Sequence, residues 1–189
     1  MELGWGGSMK TYAGRSLMVF VLAMAWCLVG FTAPAPAQKF GNFVNKKFGF
    51  ATQLPNHWVS EVKDNSLIFS GPKNTEEYFT TINFQFINRK PKGSLEAQGK
   101  DLEQQWARGQ NYKLLSREKI RVGGQPALRL KAVYKLPTGK ETFQQDQVVV
   151  ERGRYYYHIG YTAPQELFGK YKWAFDHVLK SFKFLPAGK

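Results

Sequence analysis

The sequence predicts an α+β fold, a mainly antiparallel β-sheet with helices packed on it. Three observations carry that expectation. Two pairs of long alternating segments are each broken by a short glycine-containing stretch, Gly123-Gly124 and Arg152-Gly153, as β-hairpins are. Two other segments place apolar residues at helical spacing and need a sheet to lie on. No internal repeat, low-complexity tract or second-domain signal interrupts them, so a single domain holds all the elements.

The elements follow in chain order. KFGNFVNKKFGFATQLPNHWVSEV (residues 39–62) alternates apolar and polar residues in short pieces. Phe48, Phe50 and Leu54 point one way before Pro55-Asn56 forces a turn, and Trp58 restarts a strand. NSLIFSGP (residues 65–72) is a further short strand closed by Gly71-Pro72. TTINFQFIN (residues 80–88) alternates Ile82, Phe84 and Phe86 against Thr81, Asn83 and Gln85, a half-buried strand. Ser94 caps a helix over residues 95–108, whose stripe of Leu95, Leu102 and Trp106 is narrow; Gly99 lies within it and Gly109 ends it. That helix is expected to cover the sheet lightly. The last helix follows Thr162 and Gln165, which have capping-box spacing, with Pro164 in its first turn. Leu167, Tyr171, Ala174, Val178 and Phe182 form its stripe, broadened by Phe168, Phe175 and Leu179. The expected core includes Trp58, Leu128, Leu130, Tyr134, Tyr157, Ile159, Tyr171, Phe175 and Val178.

The first hairpin joins residues 114–122 to residues 126–136. Leu128, Leu130, Ala132, Tyr134 and Leu136 share one face of the second strand, and Arg129, Lys131 and Lys135 the other. A three-residue loop at residues 123–125 keeps the faces pure, pairing Lys119 with Arg129 and Arg117 with Lys131; a two-residue loop sets Lys119 opposite Leu128. The purer pattern predicts one outward surface carrying Arg117, Lys119, Arg121, Arg129 and Lys131. Reversing Lys119 and Arg129 to Glu is then expected to leave folding intact. In the second hairpin, alternation puts Tyr155, Tyr157, Ile159 and Tyr161 on one face and Tyr156, His158, Gly160 and Thr162 on the other. The tyrosines of YYYHIGY therefore cannot converge on one site. They read as a core wall, with a shallow groove at Tyr156 and His158 as the alternative.

The N-terminus reads as a signal peptide over residues 1–37, followed by a single domain over residues 38–189. Lys10 and Arg15 precede a 15-residue apolar run, LMVFVLAMAWCLVGF, that is shorter than the roughly 20 residues of a membrane span. Ala35 and Ala37 supply an A-x-A cleavage site with Gln38 as the new N-terminus. An uncleaved anchor is the other reading. Met9 begins a more typical signal sequence than Met1. Trp26 beside Cys27 argues against a lipidation site. Cys27 is the one cysteine, so the mature chain has no disulfide, thiolate metal site or cysteine nucleophile. Cleavage removes Lys10, Arg15 and Glu2 and takes the net charge from +13 to +12. Such a charge suits an anionic neighbour, and equally suits simple solubility.

Several local patterns, in this order, resemble the PsbP-like fold group, which includes the PsbP extrinsic subunit of photosystem II, the Ran-binding Mog proteins and DcrB-like exported bacterial proteins. The matching residues are FGFATQLPNHWV (residues 48–59), TTINFQF, the Gly-Gly-Gln-Pro-Ala before a long strand, and GYTAPQELF with SFKF at the end. The resemblance spans nearly the whole mature chain, and order and spacing carry it, because each motif alone is made of fold-forming residues. It implies an α/β/α sandwich, a mainly antiparallel sheet packed between helices, mostly with protein-binding rather than enzymatic roles. A bare five-cation face departs from a sheet covered on both sides.

The residues offer little chemistry. His57, His158 and His177 lack zinc-site spacing, no G-x-S-x-G elbow exists, and Gly123-Gly124 joins two strands rather than cradling a phosphate. No cofactor, metal or catalytic residue is expected. The cationic face lacks interleaved aromatics, which argues against nucleic acid. The expectation is an exported monomer, periplasmic or extracellular and without a membrane span after cleavage. It binds an envelope protein or an anionic surface such as headgroups or cell-wall polymer. An envelope enzyme with a composite site and a small-molecule or metal-binding module are the alternatives.

Overall fold

Ten strands and two helices make up the described part of the chain; the structure is a computed structural model and describes residues 39–63, 65–91, 93–136 and 139–186. The predicted signal peptide and cleavage site, Ala37 and Gln38 included, lie outside these residues.

The strands are β1 (Phe40–Asn45), β2 (Phe50–Pro55), β3 (Val59–Lys63), β4 (Ser66–Ser70), β5 (Thr81–Asn88), β6 (Gln110–Val122), β7 (Gln125–Lys135), β8 (Thr142–Arg152), β9 (Tyr155–Pro164) and β10 (Lys183–Phe184). The helices are α1 (Leu95–Trp106) and α2 (Gln165–Ser181). A seven-stranded antiparallel sheet runs β3-β4-β5-β9-β8-β7-β6, and β1, β2 and β10 form a separate three-stranded sheet. The fold is the predicted α+β class. The small second sheet, and the 3-10 turn at Glu76–Phe79, were not anticipated from the sequence.

Alternation sorts the large sheet into two faces. One bears Ile82, Phe84, Phe86, Val148, Val150, Tyr157, Ile159 and Tyr161, and packs against Phe168, Phe175 and Val178 of α2 and Phe50 and Leu54 of β2. The other bears Leu128, Leu130, Val149 and Tyr156 under Leu102 and Trp106 of α1. Most of the expected core residues are buried, whereas Tyr134 and Tyr171 are half-buried.

Ser94 caps α1 as predicted, its Oγ accepting from the Ala97 amide at 3.1 Å. Gly99 has a packing reason: a Cβ there would stand 2.5 Å from Leu128 Cδ2, so glycine lets this short helix approach the sheet. The predicted capping box at Thr162 does not form. β9 runs on to Pro164, pairing Thr162 with Thr81 on one side and Gln145 on the other, and α2 starts from Pro164 with no side-chain cap. The sheet ladder on both sides holds Thr162 in extended backbone and outcompetes the cap.

Candidate functional site

The β6–β7 hairpin closes with Val122 opposite Gln125, so its loop is the two residues Gly123-Gly124 and not three. Both glycines have positive φ, 55° and 78°, the type I′ geometry whose twist matches that of paired strands. Lys119 consequently stands opposite Leu128, and Arg117 opposite Leu130. This register also sends Ile120 and Val122 to the α2-side core beside Ala127. The expectation of pure faces fails because core burial and the turn decide the register.

The five cations are thereby divided. Arg117, Lys119 and Arg121 share the α1 side with the leucines. Arg117 Nη1 donates to Glu103 Oε1 at 2.6 Å, Lys119 pairs with Glu96 at 3.2 Å, and Arg121 bonds to the carbonyl of Gly124. The heads of Arg117 and Lys119 thus meet acids on α1 while their long stems run along the sheet. Arg129 and Lys131 are on the α2 side. Arg129 forms a two-pronged contact with Asp146, Nε to Oδ1 at 2.8 Å and Nη2 to Oδ2 at 2.6 Å, and Asp146 is wholly buried. The Asp146 hydrogen bonds, foremost, raise the Arg129 pKa above its usual value. Lys131 lies 3.8 Å from Glu118. Of the five, Lys119 and Arg121 remain the outward charges, the Lys119 side chain being 82% exposed.

Tyr156 and His158 do share the α1 face. Both are buried rather than lining an open aromatic groove. His158 Nε2 meets Gln98 Oε1 at 3.2 Å, and beside it lies a cavity of about 200 Å³ lined also by Gln85, Lys90, Asp101 and Gln105. Burial pushes the His158 pKa down to about 4, leaving a neutral imidazole. The other histidines lie elsewhere. His57 contacts Glu77 at 2.7 Å, and His177 stacks on Phe40 and bonds Gln53 at 2.8 Å. Among the described residues no three His, Cys, Asp or Glu side chains gather as metal ligands.

A second cationic cluster escaped sequence reasoning. The turn after β1 carries Lys46 and Lys47, the β8–β9 turn carries Arg152 and Arg154, and the two turns meet at a pocket of about 450 Å³. The Lys46-Lys47 pair and the Arg152 and Arg154 that flank Gly153 were each visible in the sequence; their meeting was not. Separately, no helix among the described residues is long and apolar enough to cross a membrane.

Comparison with known proteins accords with this architecture. A family model described as PsbP matches residues 38–184. No curated protein sequence matches the chain. Among solved structures, the cyanobacterial PsbP of Synechocystis superposes with a TM-score of 0.58 at 14% identity, covering 82% of this chain and 98% of that one. The Ran-binding protein Mog1p of Saccharomyces cerevisiae gives 0.58 at 12% identity, over 79% of this chain and 97% of that one. LpqN of Mycobacterium tuberculosis, described as involved in cell envelope biogenesis, gives 0.57 at 11% identity, over 79% and 92%. At such identities the likeness is one of fold.

Proposed function

Because the chain belongs to the PsbP family, we propose that it is an exported, non-catalytic binding domain that docks on an acidic protein of the cell envelope. The family and its fold are compatible with binding or assembly rather than catalysis. Two of the similar structures carry descriptions of that kind, one binding Ran and one taking part in envelope biogenesis. The observation that carries the reading is the charge, +13 over the chain, which favours association with an anionic partner. The five-cation hairpin face no longer serves as a unit: the side chains of Arg117, Arg129 and Lys131 are paired within the fold and at most 30% exposed, whereas Lys119 stays open to solvent even while paired with Glu96. Lys119 and Arg121 keep the docking role assigned to that face.

Affinity capture from envelope extract across a salt series tests this. Exposed charges are screened over about 8 Å at physiological ionic strength, so the captured partner should be lost as salt rises. The variant Lys119→Glu/Arg121→Glu should keep the melting temperature within about 4 °C of wild type, because an exposed ion pair such as Lys119 with Glu96 contributes at most about 1 kcal/mol, and should release the partner at lower salt. A partner retained equally by variant and wild type at every salt concentration overturns the reading.

A further inference from the structure

We propose that the pocket between the Lys46-Lys47 turn and the Arg152–Arg154 turn is a binding site for a phosphate-type oxyanion. This goes beyond docking on an acidic protein, and neither Lys119 nor Arg121 takes part in it.

Four cations line the pocket, with no acidic side chain among its described lining residues. Among the described residues none of the four forms an ion pair, unlike Arg117, Lys119, Arg129 and Lys131 on the hairpin. Two of them are guanidinium groups whose positions are fixed. Arg152 lies over the Phe184 ring at 4.3 Å, and its Nη2 donates to the Leu185 carbonyl at 2.9 Å. Arg154 lies over the Tyr155 ring at 4.9 Å. Lys47 lies 5.0 Å above Phe48. Stacking on a ring holds the charge in place without neutralising it.

Arg152 carries the strongest signal. Its Nη1 is buried and has no hydrogen-bond acceptor among the described residues. A guanidinium N–H buried without an acceptor, on a half-buried side chain beside three further cations, is unfavourable unless an anionic acceptor lies within a few ångströms. A doubly charged tetrahedral oxyanion meets that need, and guanidinium forks match its oxygens in pairs. The protein holds the receptor side ready: Gly153, at φ 58°, and Gly49, at φ 67°, shape the two turns, and the Leu185 amide bonds the Gly49 carbonyl at 2.8 Å, tying the chain end to the first turn. The pocket volume leaves room for an organic group beside the phosphate, against Tyr155 and Tyr157.

The test compares melting temperature in inorganic phosphate with that in sodium chloride at equal ionic strength. A ligand that binds only the folded state raises the melting temperature saturably. Phosphate should do so and chloride should not. Lys47→Gln/Arg154→Gln alters exposed side chains and should fold normally, yet weaken phosphate at least tenfold; Arg152→Gln should do the same. Lys119→Glu/Arg121→Glu should bind phosphate as wild type, which separates failure of this site from failure of the docking reading. Flotation with phosphatidylcholine vesicles, with and without phosphatidic acid, identifies the source of the phosphate. A phosphate response without flotation points to a soluble compound, and acid-dependent flotation lost in the variants points to a headgroup; both support the site. A phosphate response no larger than that of chloride, together with flotation that is absent or kept by the variants, overturns it.

Discussion

His158 and Arg129 show how burial changes the meaning of a charged or titratable side chain. His158 is 3% exposed beneath α1, with a pKa pushed from 6.5 to about 4 by that burial. The folded form therefore resists protonation while the unfolded chain accepts it. Stability is complete above about pH 6.5 and falls as the pH drops toward 4, by on the order of 3 kcal/mol from this group. Urea unfolding between pH 7 and 4 should show a smaller acid loss in His158→Gln than in wild type. Arg129 was legible as a cation but not as a buried partner. Asp146 lies seventeen positions on in β8 and is invisible as its counter-ion until β7 and β8 pair. Reversing Arg129 to Glu, expected from the sequence to spare folding, would instead place two carboxylates together. Asp146→Ala, which strands Arg129 against the core, should cost about 3–5 kcal/mol in denaturant unfolding.

At the level of elements, local pattern predicted which face each strand presents but not always what lies across from it. Tyr155, Tyr157, Ile159 and Tyr161 share a face, and Tyr156 and His158 share the other, because alternation is a property of one strand alone. Register is a property of two. The Gly123-Gly124 turn and the burial of Val122 set it, and the cations follow onto whichever face remains. Helix α2 was found with its apolar stripe, although the fully buried side chains are Ala174, Phe175 and Val178, while Leu167 and Tyr171 sit at the edge. Phe175 stacks on Tyr161, 5.7 Å between ring centroids, with no solvent exposure. Phe175→Ala should therefore destabilise the domain by about 3–5 kcal/mol, measured by urea unfolding. A change under about 1 kcal/mol, as at an exposed site, would move the buried face elsewhere on the helix.

For the whole molecule, export is the proposal that starts from the sequence alone. N-terminal sequencing of the exported protein should read Gln38 first; a chain retaining the apolar run would be an anchored one. The sequence by itself determined the α+β class, the antiparallel hairpins, both helices and the net positive charge. Each of these depends on residue type and on spacing within a few positions. Tertiary structure alone decided the three-stranded second sheet, the pairing of Arg129 with Asp146, the burial of His158 under Gln98, and the meeting of Lys46-Lys47 with Arg152 and Arg154. Those features join residues far apart in the chain. Which distant residues meet is set by packing of the assembled core, and that packing balances burial, register and charge over all the elements at once.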